Sequence, residues 1–121
     1  MKYNILAEKS YSFSVRATKM YQYLLFKKKE YVLSKQFVRA ATSIGANIEE
    51  AIGAQTRKMF ISKMSIAYGE AREAHYWIRL LSEADYIDSK AGASMLEDCT
   101  ELLKILTTVL KSTKNSTGAG E

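Results

Sequence analysis

Proline is absent from these 121 residues, so no ring interrupts helix formation anywhere along the chain. Cysteine occurs once, as Cys99, which excludes an intramolecular disulfide. Its place between Leu96 and Leu103, at core spacing, reads as a buried structural thiol rather than a reactive one. Histidine also occurs once, as His75. A zinc site needs several Cys or His ligands, and a di-metal site in a helical bundle needs two Glu-x-x-His pairs. Here the residue three before His75 is Arg72, so neither pattern is present and no cofactor is expected. The six glycines form neither a phosphate-binding loop nor a dinucleotide fingerprint. Nothing pairs His75 with Cys99 as base and nucleophile, and Glu49 and Glu50, adjacent on a helix, point roughly 100° apart. The chain reads as non-enzymatic. No apolar run reaches the length of a signal sequence or a membrane span, which makes the cytoplasm the expected compartment.

What is present is a helical repeat. Phe60, Met64, Ala67, Ala71, Ala74, Ile78 and Leu81 follow the spacing 4, 3, 4, 3, 4, 3, the period of a helix packed lengthwise along others. A helix from about Ala7 to Phe26 has its seam at Leu6, Phe13, Ala17, Met20 and Leu24. Ser34 is the expected N-cap of a second helix, carrying Phe37, Ala41, Ile44, Ile48 and Ala51 on one face. Gly53 and Thr56 mark the next turn, and Asp88 or Ser89 caps a fourth helix with its seam at Leu96, Cys99, Leu103, Leu106 and Leu110. Four such helices joined by short turns predict an all-α, up-down-up-down antiparallel bundle over residues 1–112, with a disordered tail at 113–121. Gly45 and Gly69, each costing about 1 kcal/mol in a helix interior, point to close helix approach.

The net charge of +5 is unevenly placed: residues 1–45 carry +7 and residues 46–121 carry −2. Lys9, Arg16, Lys27, Lys28, Lys29, Lys35 and Arg39, with Tyr11, Tyr21, Tyr23 and Tyr31 nearby, form a candidate phosphate-contacting surface. Opposing that reading, the first and third turns share one end of such a bundle, which would set the lysine run near Asp85 and Asp88. A second apolar stripe on helix three (Met59, Ile66, Trp77, Leu80) and another on helix four (Met95, Leu102, Ile105, Val109) exceed what one bundle face needs. They are the expected subunit interface. Glu70 and Glu73 interrupt the second stripe of helix three, close to Trp77, and need partners from another helix or subunit, with Asn47, Lys63 and Arg39 as candidates.

The segments Glu30-Tyr31-Val32-Leu33-Ser34-Lys35-Gln36 and Arg39-Ala40-Ala41-Thr42-Ser43-Ile44-Gly45-Ala46-Asn47-Ile48-Glu49-Glu50-Ala51 resemble the bacterial four-helix-bundle proteins related to those encoded in ribosomal RNA intervening sequences. So do Phe60-Ile61-Ser62-Lys63-Met64 and Tyr76-Trp77-Ile78-Arg79-Leu80-Leu81, while Met59, Ala74 and His75 depart from the usual pattern. The resemblance implies a homo-oligomer, a ring of five subunits. It is shared with the accessory protein of diversity-generating retroelements, which is basic and works with RNA and a reverse transcriptase. The function expected on these grounds is electrostatic binding of RNA, DNA or a ribonucleoprotein partner, with no membrane role. The competing expectation is a structural or protein-binding module.

Overall fold

A computed structural model describes the backbone of residues 2–120 and the side chains of residues 3–115. Four helices follow one another: α1 (Lys2–Phe26), α2 (Leu33–Ile52), α3 (Arg57–Glu83) and α4 (Ser89–Gly120), with no strand among the described residues. Each packs on its neighbour in sequence, α2 against α3 most extensively, and a thin α1–α4 seam closes the bundle. The first helix starts five residues before its expected position. Of the expected tail, Thr113 is helical and its hydroxyl donates to the Val109 carbonyl at 2.7 Å. The side chains of residues 116–121 lie outside those described.

The 3.5-residue period of α3 is expressed in full. Met64, Ala67, Ala71, Ala74, Ile78 and Leu81 are buried, and Phe60 packs at the rim against Tyr3, ring centroids 5.3 Å apart. Phe37, Ala41, Ile44, Ile48 and Ala51 meet them from α2, and Leu6, Phe13, Ala17 and Leu24 from α1. At Gly45 the chain of α1 lies close against α2: a Cβ there would stand 3.2 Å from Ser14 Oγ and 3.5 Å from the Ser10 carbonyl. Gly69 is different. Nothing lies within 4 Å of its missing Cβ, so no contact within the chain accounts for it.

The assignment of α4 needs correcting. Met95, Leu102 and Val109, expected at a subunit interface, are buried core residues at 0%, 1% and 1% exposure. Leu96, Leu103 and Leu110, expected in the seam, are only half-buried. The two heptads share Cys99 and Leu106 and differ by one position elsewhere, a rotation the sequence leaves open. Contact with both α3 and α1 selects the one centred on 95, 99, 102, 106 and 109.

The cap of α2 is also not the expected one. Val32 occupies the N-cap position without a side-chain bond. Glu30 reaches forward instead, its carboxylate accepting from the backbone N–H groups of Val32 (3.1 Å), Leu33 (3.0 Å) and Ser34 (2.6 Å). The Ser34 hydroxyl donates back to the Glu30 carbonyl at 2.7 Å. Three of the four orphan donors of a helix start are thus met by one side chain. The turn needs Lys29 in the left-handed region, φ 55°, a conformation that glycine adopts at less cost. The other two starts are as expected. Thr56 Oγ1 accepts from the Met59 N–H at 3.1 Å, and Asp88 Oδ1 from the Ala91 N–H at 2.9 Å.

Burial alone would raise the Glu30 carboxyl, but the donors of Leu33, Ser34 and Val32, with the Ser34 hydroxyl, outweigh it and hold it below its ordinary value of 4.5. The carboxylate's contribution to stability is therefore complete above that value, and is lost as pH falls from it through the depressed native one. Glu30→Ala is expected to lower the unfolding free energy at neutral pH by about 2 kcal/mol, read from urea denaturation. The deficit relative to native protein should shrink as the pH is lowered into the acid range.

Candidate nucleic-acid and subunit interfaces

Charge on α1 and α2 is divided into two classes by what α3 and α4 place opposite it. Lys9 Nζ lies 3.3 Å from Glu101 Oε1 across the α1–α4 seam. Arg16 bridges the same seam, donating to Asp98 Oδ2 and Ser94 Oγ at 2.7 Å each. Arg39 reaches Glu70 at 3.3 Å and donates to Glu73 Oε2 on α3. Three of the seven candidate cations are thereby neutralised inside the chain. Their partners lie 31 to 92 residues away in sequence, which is why spacing alone did not reveal them. Lys27, Lys28, Lys29 and Lys35 form the second class: all are exposed, and none is in an ion pair among the described residues.

All four lysines belong to the α1–α2 corner that Glu30 ties together. The first and third turns do share an end, since Tyr23 of α1 and Ile87 and Asp88 of the α3–α4 turn line one hollow. Asp85 and Asp88 nonetheless form no ion pair with the lysine run. Asp88 is spent on the α4 cap, and Asp85 occupies the left-handed turn position at φ 65°. The corner also exposes apolar surface that periodicity did not flag: Phe26 at 68%, Tyr31 at 58% and Val32 at 70%. Phe26 falls outside the α1 seam, the one signal in the sequence that it points away from the core.

On the α2–α3 face the polar cluster is satisfied within one chain. Arg39 is the partner of both glutamates, Lys63 pairs with Glu50 at 2.7 Å, and Asn47 donates to its own helix at the Ser43 carbonyl. Trp77 Nε1 donates to Glu73 Oε2 at 3.0 Å. That bond is the main reason the Glu73 carboxyl sits below its ordinary value; burial opposes it, and Arg39 adds to it. Beside this cluster Met59 and Ile66 stay exposed, at 48% and 45%, while Trp77 and Leu80 are half-buried. Tyr76, exposed, has its ring edge-on to Trp77 and the Arg79 guanidinium 5.9 Å from its centroid.

The two residues considered for chemistry are occupied structurally. Burial, and then Asp98, pushes the Cys99 thiol up to about 12, and it donates to the Ala71 carbonyl at 3.3 Å. Such a thiol carries almost no thiolate at neutral pH. His75 is half-buried and accepts from Arg79 Nε at 3.2 Å; burial, then Arg79 and Arg72, lowers its pKa from the ordinary value. Among the described residues no helix is long and apolar enough to cross a membrane.

Trp77 is the single tryptophan, so its emission reports on Glu73 directly. An acid titration of the fluorescence is expected to show a transition with its midpoint below the ordinary carboxylate value of 4.5, and Glu73→Gln should abolish that transition. A midpoint at or above the ordinary value would mean that the indole–carboxylate bond does not form in solution.

The comparisons with known proteins agree with this architecture. The model of the 23S rRNA-intervening sequence protein family matches residues 2–108. A crystal structure of a protein of unknown function from the S23 ribosomal protein family, from Bacteroides thetaiotaomicron VPI-5482, is 45% identical. The similarity spans 92% of this chain and 99% of that one, with a TM-score of 0.90. No curated protein matches. A match over nearly the whole bundle, together with the same four-helix fold at that identity, places the chain: it belongs to the 23S rRNA-intervening sequence protein family.

Proposed function

We propose that this chain is a non-enzymatic, self-associating cytoplasmic bundle protein whose α1–α2 corner binds nucleic acid, or an RNA-bound partner such as a reverse transcriptase, by charge. The observation that carries the reading is the gathering of Lys27, Lys28, Lys29 and Lys35, unpaired and exposed, at one end of the molecule. Unpaired lysines on a polyanion release condensed counterions, which supplies affinity without reading bases. Lys9, Arg16 and Arg39 contribute less, because each must first give up a carboxylate of its own chain.

Self-association is supported by α3. Met59, Ser62, Ile66, Gly69, Glu73 and Tyr76 fall at heptad spacing along the face turned away from the core. Exposed Met59, Ile66 and Tyr76 flank a glycine with open space over it, the arrangement that lets another helix approach closely. A second copy of α3's environment is the simplest partner, in the five-membered ring that the family resemblance implies. The competing reading keeps this assembly and drops the nucleic acid; it is favoured by the ion pairs that already absorb three cations.

Two measurements separate these readings. Replacing Lys27, Lys28 and Lys29 together by glutamate should weaken binding to mixed RNA and DNA fragments, and reduce the slope of log affinity against log salt by about 2 to 3. Binding absent at low salt, or unaltered by the triple change, would leave only the structural module. For the assembly, Gly69→Ala should raise helix stability by about 1 kcal/mol if the α3 face is free in solution. If a second helix lies on it, as proposed, sedimentation velocity should instead show the variant shifted toward smaller species.

A further inference from the structure

The lysine corner does not end in flat surface. Between the end of α1 and the α3–α4 turn lies a hollow of about 360 Å³, lined by Arg16, Lys19, Met20, Tyr23, Ile87, Ala91 and Asp88, whose carboxylate is engaged by the Ala91 N–H at the start of α4. Met20, Ile87 and Ala91 give it apolar walls, and Lys19, with no ion pair among the described residues, puts a cation at its edge, whereas Arg16 there is already paired with Asp98. Tyr23, at 41% exposure, stands three residues before Phe26 and four before Lys27, so the hollow opens onto the same end of the bundle as the lysines. Around that end, Tyr23, Phe26 and Tyr31 present three aromatic rings to solvent.

We propose that the hollow and the lysine corner form one site for an unpaired nucleic-acid strand, with phosphates on Lys27, Lys28, Lys29 and Lys35 and bases stacked on Tyr23, Phe26 and Tyr31. This rests on the charge-based reading above and specifies which form of nucleic acid the site takes. A duplex offers its phosphates but keeps its base faces stacked on one another, so it would use the lysines and leave the three rings in water. An unpaired strand offers both phosphate and base face, and satisfies cations and rings together. Phosphate contact and ring stacking do not read the sugar, so RNA and DNA strands are bound alike. The hollow favours a strand over a lipid surface as well. A bilayer meets protruding apolar groups, whereas here an apolar concavity lies beside the cations and has room for a flat ring.

The test is fluorescence anisotropy with the full chain, using a labelled twelve-nucleotide oligo-uridine, the matching oligo-thymidine and a twelve-base-pair duplex, at low salt. Both single strands should bind more tightly than the duplex. Replacing Phe26 and Tyr31 by alanine should weaken single-strand binding by about tenfold and collapse the preference over duplex. Both side chains are largely exposed, so circular dichroism of the variant should match the parent. Tyr23→Ala should act in the same direction, and Tyr23→Phe should restore binding. Duplex bound as tightly as single strand, or equal losses for both on removing the rings, would overturn the strand-specific site while leaving the charge-based reading intact. Binding to neither would remove the charge-based reading itself. Tighter binding to phosphatidylserine vesicles than to either oligonucleotide would overturn the proposal in favour of a lipid surface.

Discussion

Close approach of α2 and α3 over small side chains is the constraint on which the rest of the molecule is built. Ala40, Ala41 and Ala51 of α2, and Ala67, Ala71 and Ala74 of α3, are all buried at the centre of the bundle. An alanine contributes little apolar area by itself, yet it brings backbones near enough for larger neighbours such as Phe37, Ile44, Ile48 and Met64 to interdigitate. The same proximity brings α2's outer edge within reach of α3. Arg39 can then meet Glu70 and Glu73, and Lys63 can meet Glu50. The α1–α2 corner is anchored to this pair by the buried start of α2, so the position of the free lysines is inherited from the core.

Much of this architecture was legible because a helix of period 3.6 writes its buried face into the sequence directly. The α2 and α3 faces, the Thr56 cap and the Asp88 cap all depend on residues a few positions apart, and all stand where spacing placed them. The α4 seam did not, because two overlapping heptads are equally apolar and only the neighbours across the interface choose between them. Glu30 was hidden for another reason. A carboxylate preceding a helix by three residues looks like surface charge, and Ser34 looked like the better cap; the left-handed Lys29 that turns the chain back is not encoded by a glycine.

The candidate interfaces were legible to a lesser degree. Net charge is a property of composition, but its availability is a property of tertiary structure, and pairing with α4 and α3 silences Lys9, Arg16 and Arg39. The apolar excess was likewise split: α4's share went into the core, while Met59 and Ile66 on α3 stayed outside. What the sequence could not express was concentration. Free cations, exposed rings and an apolar hollow converge on one end only because the first and third turns lie side by side there.

The unequal seams also set the order in which the molecule loosens. α2 and α3 are gripped from both sides, whereas α1 is held to α4 along a narrow strip fastened by Lys9–Glu101 and Arg16–Asp98, both partly open to solvent. Such fasteners weaken with ionic strength, and apolar contact does not. Along that flank concentrated salt is expected to loosen the two fasteners while the buried side chains of α1 and the alanine-lined centre stay packed. Backbone amides of α1 should accordingly trade their hydrogens with water earlier than those of α3.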